Sequence, residues 1–342
     1  MPPTLLDISK KAGLAVTTVS SVLNDRPGYS QATRKRVRQV AEELGYTANP
    51  LARGLLGKST ASVALLWSMG GPHTSGEMAR DIALRMQRRG YVTHLADSLS
   101  DPDVVGRLLA DYRRRGVDAV VLQYQDGVVT KAIDHQLYKF PAAVVVGPFG
   151  PTEAMDWVCH DLAAGYRQAV DHFANTGRNH PAILCDSASA GYKIKAFFEQ
   201  CRSRGMAVSD RSVINVSPGA HARQWIASCK QALKVQFATE FPFDALICTC
   251  DELAAAAIDW LRGRGLRVPE DVAVVGCNNA ALSEAIAPPL ASIERHDEKV
   301  ASAIEEMIFS RLSDPELPAR QKEVKGEFVW RESAGQVGIG VK

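Results

Sequence analysis

Two rhythms of apolar and polar positions divide this 342-residue chain. From Ala61 onward, short apolar runs alternate with longer stretches whose apolar positions recur at helical spacing. The runs SVALLW, YVTHLA, VDAVVLQ and AAVVVG read as strands. Between them, helices are expected from Glu77 to Arg89, from Pro102 to Arg115 and from near Val128 to Leu137, with Gly90 ending the first. A second half repeats the rhythm. Helix Ala163 to Asn175 precedes AILCD, and Tyr192 to Arg204 precedes VINV. Ala222 to Ala238 precedes ALICTC, and Glu252 to Arg264 precedes VAVVGC. Strands alternating with helices predict parallel sheets covered on both faces. Two such halves place a ligand cleft between them, at the carboxyl ends of the strands.

The first sixty residues carry only short helical patterns. Thr4 and Asp7 form a Thr-x-x-Asp capping pattern ahead of apolar Leu5, Ile8 and Ala12. Gly13 supplies the left-handed residue that closes this helix. A second helix runs roughly from Val16 to Leu23, with Val19, Val22 and Leu23 facing inward and Thr17, Thr18, Ser20 and Ser21 on the other positions. Two helices joined by a short turn containing glycine make a helix-turn-helix, whose second helix enters the major groove. A third helix starts at Ser30, a good N-cap. It has a basic side (Arg34, Lys35, Arg36, Arg38) and an apolar side (Val37, Val40, Ala41, Leu44), and Gly45 ends it. The next stretch, NPLARGLLGK, carries Leu51, Ala52, Leu55 and Leu56 but is too short to stand alone as a helix. Gly54 weakens it by about 1 kcal/mol relative to alanine. It should fold only against a partner, and a symmetry mate in a minor groove is one such use.

Charge sharpens the division. The net charge is +2, yet residues 1–60 hold nine basic against four acidic side chains, leaving the body at −3. A basic head on a slightly acidic body points to an anionic partner, with nucleic acid first. The start of the chain lacks the apolar core of a secretory signal, and no apolar run is long enough to span a membrane. Seven scattered cysteines, with Cys248 and Cys250 forming only a CxC, fit small buried side chains in a reducing cytoplasm. The chain has no GxSxG, P-loop, HExxH or phosphate-cradling glycine motif, so no enzyme, metal or cofactor is expected. A solute receptor is the other class that a two-lobed body suggests; the basic head and missing signal argue against it.

The motifs D-I-x-K-x-A-G, T-V-S-x-V-L-N, S-x-x-T-R-x-R-V and E-L-G-Y-x-x-N-x-x-A-R, read together, resemble the head and hinge of the lactose-repressor (LacI) family of bacterial transcription regulators. HDLAAGYRQAVDHF, CDELAAAAIDWLRGRGLRVPEDVAVVGCNNAAL, PPLASIERHDEKVASAIEEMI and FVWRESA resemble its sensor domain. The resemblance implies an all-α helix-turn-helix domain over 1–47, a hinge helix and linker over 48–60, and a tail over 336–342. Over 61–335 it implies an α/β, two-lobed, periplasmic-binding-protein-like domain with two parallel sheets and three crossovers. Lobe one would hold about 61–160 and 293–321, and lobe two about 161–292 and 322–335. The implied partners are double-stranded operator DNA, a small-molecule effector and a second copy of the chain. No heptad-bearing helix follows VWRESAGQVGIGVK, so a homodimer on a pseudo-palindromic operator is the expectation.

By the same resemblance, Thr17 occupies a base-reading position at the start of the recognition helix, with Val16 beside it and Thr18 and Ser21 on the same helix. Ser20, Asn24, Ser30, Thr33 and Tyr46 match positions that hold phosphates, and Thr4 and Arg34 are counted with them as DNA contacts. Asn49 and Arg53 are hinge contacts, and Leu55 is the minor-groove wedge. Ser21 stands where the family usually has arginine, which removes a bidentate guanine reader and predicts an altered half-site. The implied effector contacts are Met69, His73, Ser75, Gln123 and Tyr124 in lobe one. In lobe two they are Asp161, Lys193, His221, Cys250, Asp251 and Asn278. Lys193 replaces the usual sugar-gripping arginine, Cys250 a usual asparagine, and Asn278 a usual aspartate. These changes remove a donor fork and a carboxylate that suit vicinal hydroxyls. A sugar or sugar derivative and another small polar or anionic metabolite both remain open.

Overall fold

The structure, a computed structural model, describes residues 3–23, 26–46, 59–69, 74–123, 130–148, 155–185, 191–217 and 222–336. The chain clusters into two units, Met1–Thr60 and Ala61–Lys342.

In the first unit, α1 (Leu5–Ala12), α2 (Val16–Leu23) and α3 (Gln31–Glu43) close around Ile8, Ala12, Val19, Val22, Val37, Val40 and Ala41. The capping box at Thr4 forms in both directions, and Gly13 takes φ 63° at the end of α1. Ser30 Oγ accepts from the Thr33 amide at 3.2 Å and caps α3. Residues 47–58, and with them the expected hinge contacts Asn49, Arg53 and Leu55, lie outside the described residues, as does Asn24.

The second unit contains two six-stranded sheets. Sheet one comprises β1 (Ser62–Trp67), β2 (Val92–Asp97), β3 (Ala119–Gln123), β4 (Ala142–Val146), β5 (Asp156–Asp161) and β11 (Gln321–Lys325). Its order is β11-β5-β4-β3-β1-β2, and every pair is parallel. Helices α4 (Thr74–Arg88) and α12 (Asp297–Ser313) cover one face through Ile82, Met86, Ile304 and Ile308. Helices α5 (Pro102–Arg114) and α6 (Lys131–Leu137) cover the other through Val105, Leu109, Ile133 and Leu137. The apolar β1 run is buried throughout, as a strand covered on both faces must be.

Sheet two comprises β6 (Pro181–Cys185), β7 (Val213–Asn215), β8 (Ala245–Cys248), β9 (Ala273–Asn278), β10 (Ala291–Glu294) and β12 (Glu327–Val329). Its order is β12-β10-β9-β8-β6-β7, with only β10 and β12 antiparallel. Helices α7 (Ala163–Asn175) and α8 (Gly191–Ser203) cover one face, and α9 (Ala222–Gln236) and α10 (Asp251–Gly263) the other. A short α11 (Leu282–Ala285) follows β9.

The chain passes between sheets three times: after β5, after β10 and after β11. Strand pairing carries Glu294 in sheet two and Lys325 in sheet one, beyond the 293 and 322 boundaries expected from the sequence. The passages touch one another. Gly326 N donates to Asp161 O at 2.8 Å, and a Cβ on Gly326 would lie 2.9 Å from Leu162 Cδ2 and 3.2 Å from Glu294 O. Glycine is required there because three backbones converge. Two further differences stand out. The run DWVCHD, whose apolar centre Trp157–Cys159 is only three residues long between Asp156 and His160–Asp161, forms β5, because β4 and β11 both pair with it. Helix α4 begins at Thr74, ahead of the expected Glu77.

Candidate nucleic-acid interface and effector cleft

In the head, α2 buries Val19 and Val22 and leaves Val16 and Thr17 exposed at its first turn. Thr18, Ser20 and Ser21 are half-buried along the same helix. Other expected DNA-facing groups also hold the head together. Thr4 N and Oγ1 both donate to Asp7 Oδ2, at 2.8 and 2.7 Å, and these bonds keep the Asp7 carboxyl below its ordinary range. Ser30 and Thr33 are bonded to each other, Oγ to Oγ1, at 2.9 Å. Arg34 donates to the carbonyls of Tyr29 and Arg26 and so pins the turn before α3. Tyr46 packs against the head core, and burial pushes its phenol up. Lys35, Arg36 and Arg38 are exposed on α3, giving the head its basic side.

In the body, several of the described candidate effector residues sit at or next to strand carboxyl ends. Gln123 closes β3, and its Oε1 accepts from Ser68 N at 2.9 Å, just past β1. Met69 is exposed beside it, and its amide donates to Asp97 Oδ1 at 3.3 Å. Asp161 ends β5 and accepts from Ala163 N at 3.1 Å, at the start of α7. Asn278 ends β9 in the left-handed region at φ 110° and accepts from Arg295 Nη1 at 3.5 Å. Lys193 lies in the first turn of α8 and makes no ion pair or hydrogen bond with any described residue; its ammonium stands 6.0 Å from the Tyr192 ring. Ser75 is on α4, whereas His73, Tyr124 and His221 lie outside the described residues.

Two candidates need correction. Asp251 has no exposed surface. Its Oδ1 accepts from Ser292 Oγ at 2.6 Å and its Oδ2 from Ala280 N at 2.7 Å, tying α10 to β10 and to the turn after β9. Burial raises its pKa to about 7, against the lowering effect of those two bonds. Cys250 precedes it with 2% exposure, and burial drives its thiol far up, reinforced by the charge of Glu252. Neither group presents a polar atom to a ligand; both support the wall behind Asn278. Their spacing next to an acidic helix start resembles a site in the sequence, and only burial distinguishes the two roles.

A cavity of ≈ 590 Å³ opens between β5 and β11 of sheet one and the helices α7 and α8 of lobe two. That volume suits a small molecule. Among the described candidates only Asp161 lines it, joined by His160, Arg167, Tyr192, Lys195 and Glu323. Arg295, which bonds Asn278, also escaped notice in the sequence. A lone arginine in IERHD gives no signal until the fold shows that it stands between the lobes.

A helix-turn-helix head joined to a two-lobed, periplasmic-binding-protein-like body defines the class of effector-responsive DNA-binding regulators. Residues 4–49 match the model of bacterial regulatory proteins, lacI family, and residues 170–334 that of the periplasmic binding protein-like domain. The chain belongs to the lacI family of transcriptional regulators. The regulator DegA of Bacillus subtilis (strain 168) is 28% identical over 300 residues, covering 86% of each chain. The repressor PurR of Aliivibrio salmonicida (strain LFI1238) is 27% identical over 96% of this chain and 98% of its own. Among solved structures, the lac repressor dimer bound to operator and the anti-inducer ONPF aligns with a TM-score of 0.84. It is 19% identical and covers 98% of this chain and 99% of that one. Among the described residues no helix is long and apolar enough to cross a membrane.

Proposed function

We propose that this regulator is a cytoplasmic repressor that binds a pseudo-palindromic operator as a homodimer. In this reading α2 enters the major groove, with Val16 and Thr17 on base edges and Thr18 and Ser21 beside them. Thr4, Ser20, Asn24, Ser30, Thr33, Arg34 and Tyr46 follow the phosphates. Asn49 and Arg53 hold the hinge on the duplex, and Leu55 with its symmetry mate wedges the minor groove. The observation that carries the reading is the exposed first turn of α2 on a head that closes its own core.

A small metabolite between the lobes controls the DNA-bound state in this reading. Met69, His73, Ser75, Gln123 and Tyr124 would approach it from lobe one, and Asp161, Lys193, His221 and Asn278 from the junction and lobe two. A sugar or sugar derivative is the first choice; one related structure is a regulator CelR–cellobiose complex, 24% identical with a TM-score of 0.69. A polar or anionic metabolite is the second, favoured by Lys193, whose ammonium has no acidic partner among the described residues. Selection of duplexes from a random library by the full-length chain tests the reading. Enrichment of two-fold-related half-sites is expected. Sequence-independent retention alone, at every salt concentration, would refute it.

A further inference from the structure

Where the chain leaves sheet two for α12, side chains of both lobes meet around one guanidinium. Arg295 follows β10 and precedes Asp297, the first residue of α12. Its Nε donates to Asp297 Oδ1 at 3.0 Å, and its Nη1 to Asn278 Oδ1 at 3.5 Å. The same Asp297 oxygen lies 3.0 Å from Nε2 of His160, on β5 of sheet one. A path Asn278–Arg295–Asp297–His160 therefore runs from the end of β9 in lobe two to β5 in lobe one. Burial, aided by the Arg295 charge, holds the His160 pKa down, so its imidazole is neutral. A carboxylate only accepts, so the imidazole proton is on Nε2, facing Asp297. Burial opposes ionisation of Asp297, but Arg295 and His160 outweigh it and hold this carboxyl down.

The two arms of Arg295 are unequal. The Asp297 arm is short and joins two charges. The Asn278 arm is long, at 3.5 Å, and ends on a neutral oxygen, so it lacks the attraction between opposite charges that the other arm has. The weaker arm is thus the one that reaches lobe two. Backbone strain is concentrated beside it: Asn278, Asn279 and His296 have φ values of 110°, 52° and 56°. Non-glycine residues in this region persist where surrounding contacts hold them, and such strain gathers at switches. A second link braces the same place, with Asn279 Nδ2 donating to Glu294 Oε2 and His296 N to Glu294 Oε1, both at 2.7 Å.

We infer that Arg295 is the positioning residue through which the effector cleft sets the relation between the lobes. A ligand oxygen or donor that engages the Asn278 carboxamide withdraws it from Arg295, leaving the guanidinium to Asp297 alone. Binding thereby favours one of two lobe arrangements, because the ligand interacts differently with each. The inference rests on the sensor reading above.

Two opposed variants test it. N278D puts a carboxylate on the long arm and strengthens it; R295Q removes the bridge. With the full-length chain and a selected operator duplex, the two variants shift operator Kd in opposite directions. Each shift is about fivefold, the lower end of allosteric coupling. Melting curves give the folded fraction, so that Kd refers to folded protein. A purely structural Arg295 would shift both variants the same way or neither, and either result overturns the inference. If selection yields no operator, the DNA reading fails separately, and amide exchange over residues 159–163 and 294–298 still reads the bridge. Faster exchange in R295Q and slower exchange in N278D support it; equal protection in both overturns it.

Discussion

Asp251 makes a sharp test of how the body is built. Its carboxyl has no exposed surface, and among the described residues Ser292 Oγ and Ala280 N donate to it. Gly276 closes the other side, where a Cβ would stand 2.2 Å from Asp251 Oδ1. With the folded pKa raised from 3.8 to about 7, the protonated acid is the form the fold prefers. The stabilisation is complete below pH 3.8, declines as pH rises, and is lost above about pH 7. Each unit of pH in that window removes about 1.4 kcal/mol, so roughly 4 kcal/mol is at stake overall. Asp251→Asn keeps the shape, with Oδ1 accepting from Ala280 N and Nδ2 facing the Ser292 hydroxyl, and it does not titrate. Between pH 5 and pH 8 the wild type should therefore lose about 3 kcal/mol relative to this variant. Urea unfolding followed by tryptophan fluorescence measures the difference, because all five tryptophans lie in the body and the head has none. Parallel stability profiles for the two proteins across this range would refute the reasoning.

Other outcomes follow from the same structure. Asp156, its side chain 1% exposed, holds Arg311 at 3.1 Å and Arg320 at 3.2 Å, and Asp156→Ala leaves both guanidiniums with backbone carbonyls but without the carboxylate that balances their charge. A loss of about 3–5 kcal/mol is expected in urea unfolding, and a change below 1 kcal/mol would mean solvent replaces the carboxylate. Ser30→Ala removes the α3 cap and should cost about 1 kcal/mol, seen as faster amide exchange across α3; unchanged exchange would count against the cap. Ser21→Arg restores a guanine reader. Selected half-sites should change, with about tenfold or greater discrimination at one position, and an unaltered selection would show that residue 21 does not face the bases.

Much of this molecule was legible locally. Thr4 with Asp7, Ser30, and the Gly13 and Gly45 stops mark the head helices because caps and left-handed residues act within one turn. SVALLW and the 163–175 helix follow from apolar spacing alone. The strand Asp156–Asp161 was not legible, because the three apolar residues at the centre of DWVCHD are too short a signal until β4 and β11 flank it. Among site residues, the sequence placed Asn278, Lys193 and Asp161 near a cleft through a family motif. It also placed Asp251 there, since a carboxylate at a helix start looks the same whether it meets a ligand or a buried serine.

The sequence by itself determined the order of elements, the basic head, the two-halved body and the family of regulators to which the chain belongs. These rest on side-chain chemistry and on contacts a few residues apart. Only the tertiary structure decided which sheet holds Glu294 and Lys325, that Asp251 is sealed from solvent, and that Arg295 joins Asn278 to Asp297 and His160. Those facts depend on groups that lie from 17 to 137 residues apart in the chain and meet only in the fold, and burial, not residue type, sets what each charge does.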